Sequence, residues 1–321
     1  AGSVLVAHDP AKKVALKRKR MGVLEWIVAL VTTTCFGGLV HILSTTILAA
    51  YLTGSMVLYT ALAVVVGTVF LPRAPLLWPA FKHGWMFRCW RQYFSFRAII
   101  HGQLDPNTHY LHACFPHGVA PYGIMLGGSV LPRIFPNCAP CYGISSSMMF
   151  RIPIYRHVMT WLGCEPATSS NFKALLKRGS CAVVVGGLAE MYMQDESRER
   201  ILLKSRKGFI RVALETGSPL VPSYYFGNTK LMSVVASPFI QRWSRRLRFA
   251  FMLAYGRWFL PVPYRVPVML AMGKPIPVER RETPTEAEID ELHAKFVVEL
   301  KRLFDENKGH YGWDHVELSV E

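Results

Sequence analysis

From Met21 to Pro72 the chain runs 52 residues without a single Lys or Arg, and its only ionisable side chains of consequence there are Glu25 near the start and His41 in the middle. No other feature limits the available folds as sharply. A helix crosses the hydrocarbon of a bilayer with about 20 apolar residues, so the stretch is too long for one span. It divides into a first arm near 23–49 and a shorter second arm near 55–71, with Thr53-Gly54-Ser55 as the turn. Secretory leaders are shorter and give way to polar mature sequence, whereas this stretch continues into a second apolar arm. Two buried core helices of a soluble protein are the competing reading.

The flanking charge favours a membrane hairpin. Lys12, Lys13, Lys17, Arg18, Lys19 and Arg20 precede the apolar block, and Arg73, Lys82, Arg88, Arg91 and Arg97 follow it. The positive-inside rule then puts both ends in the cytosol. Three segments result: a basic leader over 1–21, the hairpin over 22–72, and a cytosol-facing domain over 73–321. The run from Trp85 to Arg97, WMFRCWRQYFSFR, suits a helix in the headgroup layer, and equally an amphipathic core helix. The chain opens on Ala1 and not Met, which leaves room for a preceding native segment.

Composition excludes other classes. The net charge is +16, yet 51% of residues are hydrophobic and only 18% charged. A disordered basic protein would lack those apolar residues, and a nucleic-acid-binding domain would carry more charge, so no nucleic-acid partner is expected. The cationic surplus instead faces phospholipid headgroups or a phosphorylated small substrate. Seven scattered cysteines form no disulfide framework and fit a reducing compartment. Cys138-Ala139-Pro140-Cys141 has redox or zinc spacing, but no second pair follows, so two packed thiols and no metal are expected.

Beyond residue 100, short apolar runs alternate with helical patterns. Strands are expected at Tyr110 to Phe115, Cys181 to Val185, Leu220 to Phe226 and Val266 to Met272. Helices are expected at Phe172 to Lys177, Lys207 to Glu215, Trp243 to Phe259 and Thr285 to Glu306. For the last, Thr283 can cap, Pro284 suits the first position and Glu286 completes a capping box. Its apolar face is Ile289, Leu292, Phe296, Leu300 and Leu303. This pattern predicts an α/β domain with a largely buried sheet flanked by helices.

Three blocks carry chemistry. His117 stands in Cys114-Phe115-Pro116-His117-Gly118, where an apolar strand meets a Pro and Gly turn that can expose an imidazole. Glu190 closes Gly186-Gly187-Leu188-Ala189-Glu190, and could orient an imidazole or merely cap a helix. Arg206-Lys207-Gly208-Phe209-Ile210-Arg211 clusters cations at a helix start, suited to phosphate or to a solvated surface. Walker A, G-x-G-x-x-G, G-x-S-x-G and H-E-x-x-H signatures are absent from the sequence.

In this order and spacing the blocks resemble the type-2 diacylglycerol acyltransferase family, which includes monoacylglycerol and wax-alcohol acyltransferases. Phe115-Pro116-His117-Gly118 is similar to its HPHG or EPHG block, Gly186 to Glu190 to its GGxxE, and Arg206 to Phe209 to its RxGF. Val221 to Gly227 resembles VPxYxFG, and Gly273 to Ile276 resembles GxPI. The likeness runs from about residue 22 to the end. One departure is Phe115, where the family has His or Glu. The H-x-x-x-x-D pattern of broader glycerolipid acyltransferases is also missing, since that count from His117 reaches Tyr122.

The resemblance implies a membrane-anchored acyltransferase, with acyl-CoA as co-substrate and no cofactor, making triacylglycerol from diacylglycerol. His117 would be the general base and Glu190 its acid partner. Pro116, Gly118, Gly186, Gly187, Arg206, Lys207, Gly208, Phe209 and Arg211 would bind substrate, with cations on coenzyme A phosphates and apolar walls such as Phe150 to Tyr155 around the acyl chains. Backbone N–H groups near Gly118 or Gly187 would hold the oxyanion. The implied location is the endoplasmic reticulum membrane, extending to lipid droplets. A monoacylglycerol or alcohol acceptor, or a non-catalytic droplet-coating hairpin, are the alternatives. Oligomeric state is not legible.

Overall fold

The computed structural model describes residues 6–7, 20–193, 198–235, 237, 242 and 254–321. Its helices are α1 (Val23–Thr53), α2 (Met56–Gly67), α3 (Pro79–Lys82), α4 (Trp85–Tyr93), α5 (Tyr122–Ile134), α6 (Tyr155–Trp161), α7 (Ser169–Leu176), α8 (Gly208–Thr216) and α9 (Glu286–Tyr311). Its strands are β1 (Val6–Ala7), β2 (Arg97–Ile100), β3 (Leu111–Phe115), β4 (Cys141–Ser145), β5 (Cys164–Pro166), β6 (Ser180–Val184), β7 (Arg198–Ile201), β8 (Leu220–Phe226), β9 (Ser233–Val234), β10 (Ala254–Tyr255), β11 (Met269–Met272) and β12 (Glu317–Val320).

Eight strands form one sheet in the order β1-β2-β11-β8-β3-β6-β4-β5. Only the β11–β8 pair is antiparallel. Every residue of β3 and β8 is buried, which explains their unbroken apolar runs: a central strand covered on both faces does not alternate. Along β3 the faces separate cleanly. Leu111, Ala113 and Phe115 join the core formed with α7, α8 and α9, while Cys114 joins the core formed with α4, α5 and the first half of α1.

The predicted strands lie within three residues of the observed ones. β11 starts at Met269 rather than Val266, consistent with Pro267, which has no N–H to give a ladder. The helix expected over 243–259 fails where it can be examined. Residues 243–253 lie outside the described residues, Ala254–Tyr255 is strand, and Arg257–Phe259 is a single 3-10 turn. α9 is capped two residues later than expected. Thr285 and Glu288 make the capping box, because Pro284 and Ile289 are both buried at the positions of a hydrophobic staple. All five residues assigned to its apolar face are buried.

At the N-terminal side, α1 is one helix of 31 residues, long and apolar enough to cross a bilayer. It ends at Gly54, whose φ of 62° permits the turn into α2. α2 has 12 residues, about 18 Å, and falls short of a full span. The two halves of α1 differ. Its first half docks on the domain: Trp90 Nε1–H donates to Thr32 Oγ1 at 2.7 Å, Tyr122 O–H donates to the Thr33 carbonyl at 2.7 Å, and Phe36 meets the rings of Trp90, Tyr122 and Tyr155. Its second half exposes Ile47, Leu48, Tyr51 and Leu52. The segment from Trp85 packs as a core helix, with Phe87, Cys89, Trp90, Arg91 and Tyr93 buried and Trp85 exposed.

Candidate active site

β3 and β8 are adjacent and parallel, so their C-terminal ends bring two turns together. The first turn is Pro116-His117-Gly118. The second starts at Gly227 and presents Asn228, which is 1% exposed. Asn228 Nδ2 donates to the carbonyls of Pro116 at 3.1 Å and His117 at 2.8 Å, and its Oδ1 accepts from the Gly123 N–H at 2.9 Å. Gly118 has φ of 61°, and a Cβ there would stand 2.8 Å from the Asn228 carbonyl oxygen. The loop carrying His117 is therefore fixed through its own main chain. Asn228 escaped the sequence reading; its one signal was a polar residue directly after the glycine that ends β8.

His117 Nδ1 lies 2.8 Å from the Gly118 carbonyl oxygen. A carbonyl only accepts, so Nδ1 carries the hydrogen and Nε2 keeps a lone pair. Burial lowers the pKa of this ring, and the Gly118 contact opposes that only in part. The imidazole is thus a neutral base at neutral pH.

Glu190 is 4% exposed on the 3-10 turn Gly187–Tyr192. Its Oε2 accepts from the backbone N–H of His117 at 2.7 Å, and its Oε1 from that of Leu202 at 2.8 Å. This corrects the expected triad geometry: the carboxylate bonds the main chain of His117, and its bonds do not include the imidazole. Gly186 makes room for it, since a Cβ there would lie 1.8 Å from the carboxyl carbon. Gly187 has φ of 64° and permits the turn. Burial pushes the Glu190 pKa up to about 7, against the two N–H donors and the charge of Arg206.

The basic block is largely committed elsewhere. Lys207 Nζ pairs with Asp290 at 2.5 Å and Arg211 with Glu286 at 2.5 Å, both on α9. Phe209 is buried edge-on against Phe296, with centroids 5.1 Å apart. Gly208 opens α8 with nothing near its missing side chain. Of these residues only Arg206 reaches the cavity that His117 lines. Here Lys207 and Arg211 meet acids some eighty residues further along the chain and do not line the cavity.

That cavity is about 990 Å³. It lies over the β3 face carrying His112 and Cys114, under α5, with Met148, Met149, Ile152, Tyr155 and Met159 in its wall. Among the described residues its lining contains no Asp or Glu. One wall comes from α1, through Phe36, Gly37, Val40 and His41. Gly37 allows this approach, since a Cβ there would lie 2.3 Å from the Tyr122 hydroxyl. The apolar helix is therefore part of the site, which its sequence did not reveal. Cys138 and Cys141 are free thiols, and the described residues contain no cluster of three metal-ligating side chains.

A neutral histidine on the turn after a central strand thus stands beside a large, mostly apolar cavity with an arginine at its rim. Residues 53–321 match the profile of the diacylglycerol acyltransferase family, and the chain belongs to that family. It is 31% identical over 258 residues to diacylglycerol O-acyltransferase 2-like protein 6 of Homo sapiens, covering 73% of this chain and 76% of the relative. It is 30% identical over 251 residues to acyl-CoA wax alcohol acyltransferase 2 of Homo sapiens (72% and 75%). It is 29% identical over 248 residues to 2-acylglycerol O-acyltransferase 1 of Bos taurus (71% and 73%). The solved 1-acyl-sn-glycerophosphate acyltransferase PlsC from Thermotoga maritima overlays with a TM-score of 0.42 at 13% identity, over 87% of this chain and 91% of that one.

Proposed function

We propose that the protein is an acyl-CoA:diacylglycerol O-acyltransferase that makes triacylglycerol. The observation that carries the reading is the tautomer of His117: Nδ1–H is held by the Gly118 carbonyl, leaving a basic Nε2 on a residue that lines a cavity of acyl-chain size. The acceptor hydroxyl loses its proton to Nε2 as its oxygen bonds the thioester carbon. The tetrahedral oxyanion rests on backbone N–H groups of the Gly118 or Gly187 turns. The C–S bond then breaks, and the imidazolium returns the proton to the departing thiolate of coenzyme A. Glu190 acts as a positioning residue through the main chain of His117. Arg206 meets coenzyme A phosphates, and no cofactor or metal takes part.

α1 and α2 seat in the bilayer, with the exposed side chains from Ile47 to Leu52 in acyl chains and both ends of the hairpin on the cytosolic face. The docked half of α1 then opens the cavity toward the membrane, from which diacylglycerol arrives. The membrane is that of the endoplasmic reticulum, with access to lipid droplets. Relatives named for monoacylglycerol and wax-alcohol substrates support a second reading, in which the acceptor is one of those alcohols. Purified protein offered labelled acyl-CoA with each acceptor separates the two. Triacylglycerol as the favoured product is expected; wax ester or diacylglycerol as the main product overturns the acceptor, and no transfer to any acceptor overturns the reaction.

A further inference from the structure

The far end of the same cavity holds chemistry that the reaction at His117 does not use. Lys82, the last residue of α3, is 7% exposed, yet it lines the cavity together with Gly128 and Cys141. Its Nζ donates to the Cys141 carbonyl at 2.8 Å. An ammonium has three N–H bonds, and the described residues give this one no second acceptor and no carboxylate. His112 is 3% exposed and lines the same space, with no hydrogen-bond partner for its ring among the described residues. Burial lowers its pKa to about 4, so it is neutral, with one donor and one acceptor nitrogen.

The sheet register places these groups. Cys141 pairs with Ser180, and Cys181 pairs with Leu111, so Cys141 stands level with Tyr110. That is five residues below Phe115 and two strands across, about 16 Å along the strands and about 10 Å sideways from the strand end where His117 turns. His112 lies between the two levels. An acyl chain with its carbonyl at His117 and its tail directed down the sheet toward β4 therefore passes the level of the His112 imidazole and ends at that of the Lys82 ammonium. A plain hydrocarbon tail would displace water from both groups and leave the ammonium with the Cys141 carbonyl as its one acceptor among the described residues, which is unfavourable.

We propose that Lys82 and His112 form a distal polar subsite that recognises an oxygen function, a hydroxyl or carboxyl group, at the tail of the acyl chain. This rests on the acyl-transfer reading above. The test compares acyl-CoA donors of graded length, each with a methyl or a hydroxyl terminus, in the full-length membrane protein. For the length that reaches Lys82, the hydroxylated donor is expected to have a kcat/KM about 10- to 100-fold above its methyl counterpart, the scale of one hydrogen bond to a charged group. Lys82→Met, which keeps length and removes charge, should invert that ratio, and Lys82→Arg should restore part of it. Should Lys82→Met fail to fold, His112→Phe carries the same expectation.

Equal transfer from both donors, unchanged in the variants, overturns the subsite and leaves the acyltransferase reading intact. No transfer from any donor overturns that reading instead. In that event, displacement of a fluorescent fatty acyl methyl ester by hydroxylated and plain fatty acyl methyl esters, which carry no free carboxylate, still tests the subsite, since a Lys82-dependent preference for the hydroxylated ester supports it and no preference sinks it.

Discussion

The two faces of β3 are made from the same five residues and do opposite work. Leu111, Ala113 and Phe115 meet α7, α8 and α9 in a filled core, where Phe115 lies 6.1 Å from the Phe296 ring and Phe226 stacks on Phe304. His112 and Cys114 meet a cavity of about 990 Å³. Protein interiors are close-packed, so a void of that size beside a complete core marks space kept for a ligand. The contrast also explains why Phe115 stands beside the histidine without damage to the proposed chemistry. It is on the filled face, where a hydrocarbon ring is favoured and a proton carrier would be buried against phenylalanines.

If the faces divide function from stability, substitutions on them should separate activity from melting. His117→Ala, on the open side, is expected to lower the transfer rate by at least about 100-fold, because general base catalysis contributes about 100- to 10,000-fold, with little change in thermal midpoint. A variant that folds and retains near-normal turnover, measured with labelled acyl-CoA, removes His117 from the mechanism. On the filled side, Phe226→Ala should cost about 3–5 kcal/mol of stability through lost burial and the cavity it leaves. Met125→Ala, beside existing space, should cost well under that. Similar melting shifts for Phe226→Ala and Met125→Ala would end the distinction.

Glu190→Gln acts at the junction. The carboxylate takes one N–H on each oxygen, from His117 and Leu202, and an amide has only one oxygen to offer. One buried N–H is then unsatisfied, at a cost of about 1–3 kcal/mol. Since the contact is to main chain, Glu190→Gln should shift the His117 loop and lower kcat while leaving the pH at which the imidazole titrates nearly in place. The step near pH 7 that belongs to the carboxyl should vanish, whereas a large move of the remaining limb below 6.5 would mean that the carboxylate acts on the ring. For the wild type that limb has a defined sign. Burial lowers the His117 pKa below 6.5, so loss of the neutral imidazole should begin only below 6.5, while protonation of Glu190, whose pKa is about 7, should already loosen the His117 loop near neutral pH. In Glu190→Gln, which removes the carboxyl's own titration, a midpoint above 6.5 in the pH profile of kcat/KM contradicts the neutral base.

The sequence revealed most where one strand or helix settles its own burial. β8 matched residue for residue because a strand covered on both faces is apolar throughout, and the α9 face matched because its period is helical. The α9 cap slipped because Thr-Pro-Thr-Glu-Ala-Glu contains two overlapping capping boxes, and burial of Pro284 selects the second. His117 was legible as a polar residue in a Pro and Gly turn after an apolar strand. Asn228 was not, because it acts on carbonyls 111 and 112 residues away. The wall formed by α1 was equally hidden, since lipid and protein neighbours ask for the same apolar side chains.

The smallest expected effects test the basic block, of which Arg206 alone lines the cavity. Lys207 and Arg211 each form one ion pair with α9 that is substantially exposed to solvent, the kind worth about 0–1 kcal/mol. Lys207→Ala and Arg211→Ala should each move the melting point slightly and leave the KM for acyl-CoA unchanged. Arg206 is exposed, lines the cavity and has no ion pair within 4.0 Å among the described residues. Arg206→Ala should raise that KM by about 2- to 5-fold, the range of one solvent-screened charge contact. The wild-type KM should rise with ionic strength for the same reason, and the variant's should rise less. An equal KM change in all three variants would restore the whole block as a phosphate site, and would require Asp290 and Glu286 to release their partners when coenzyme A binds.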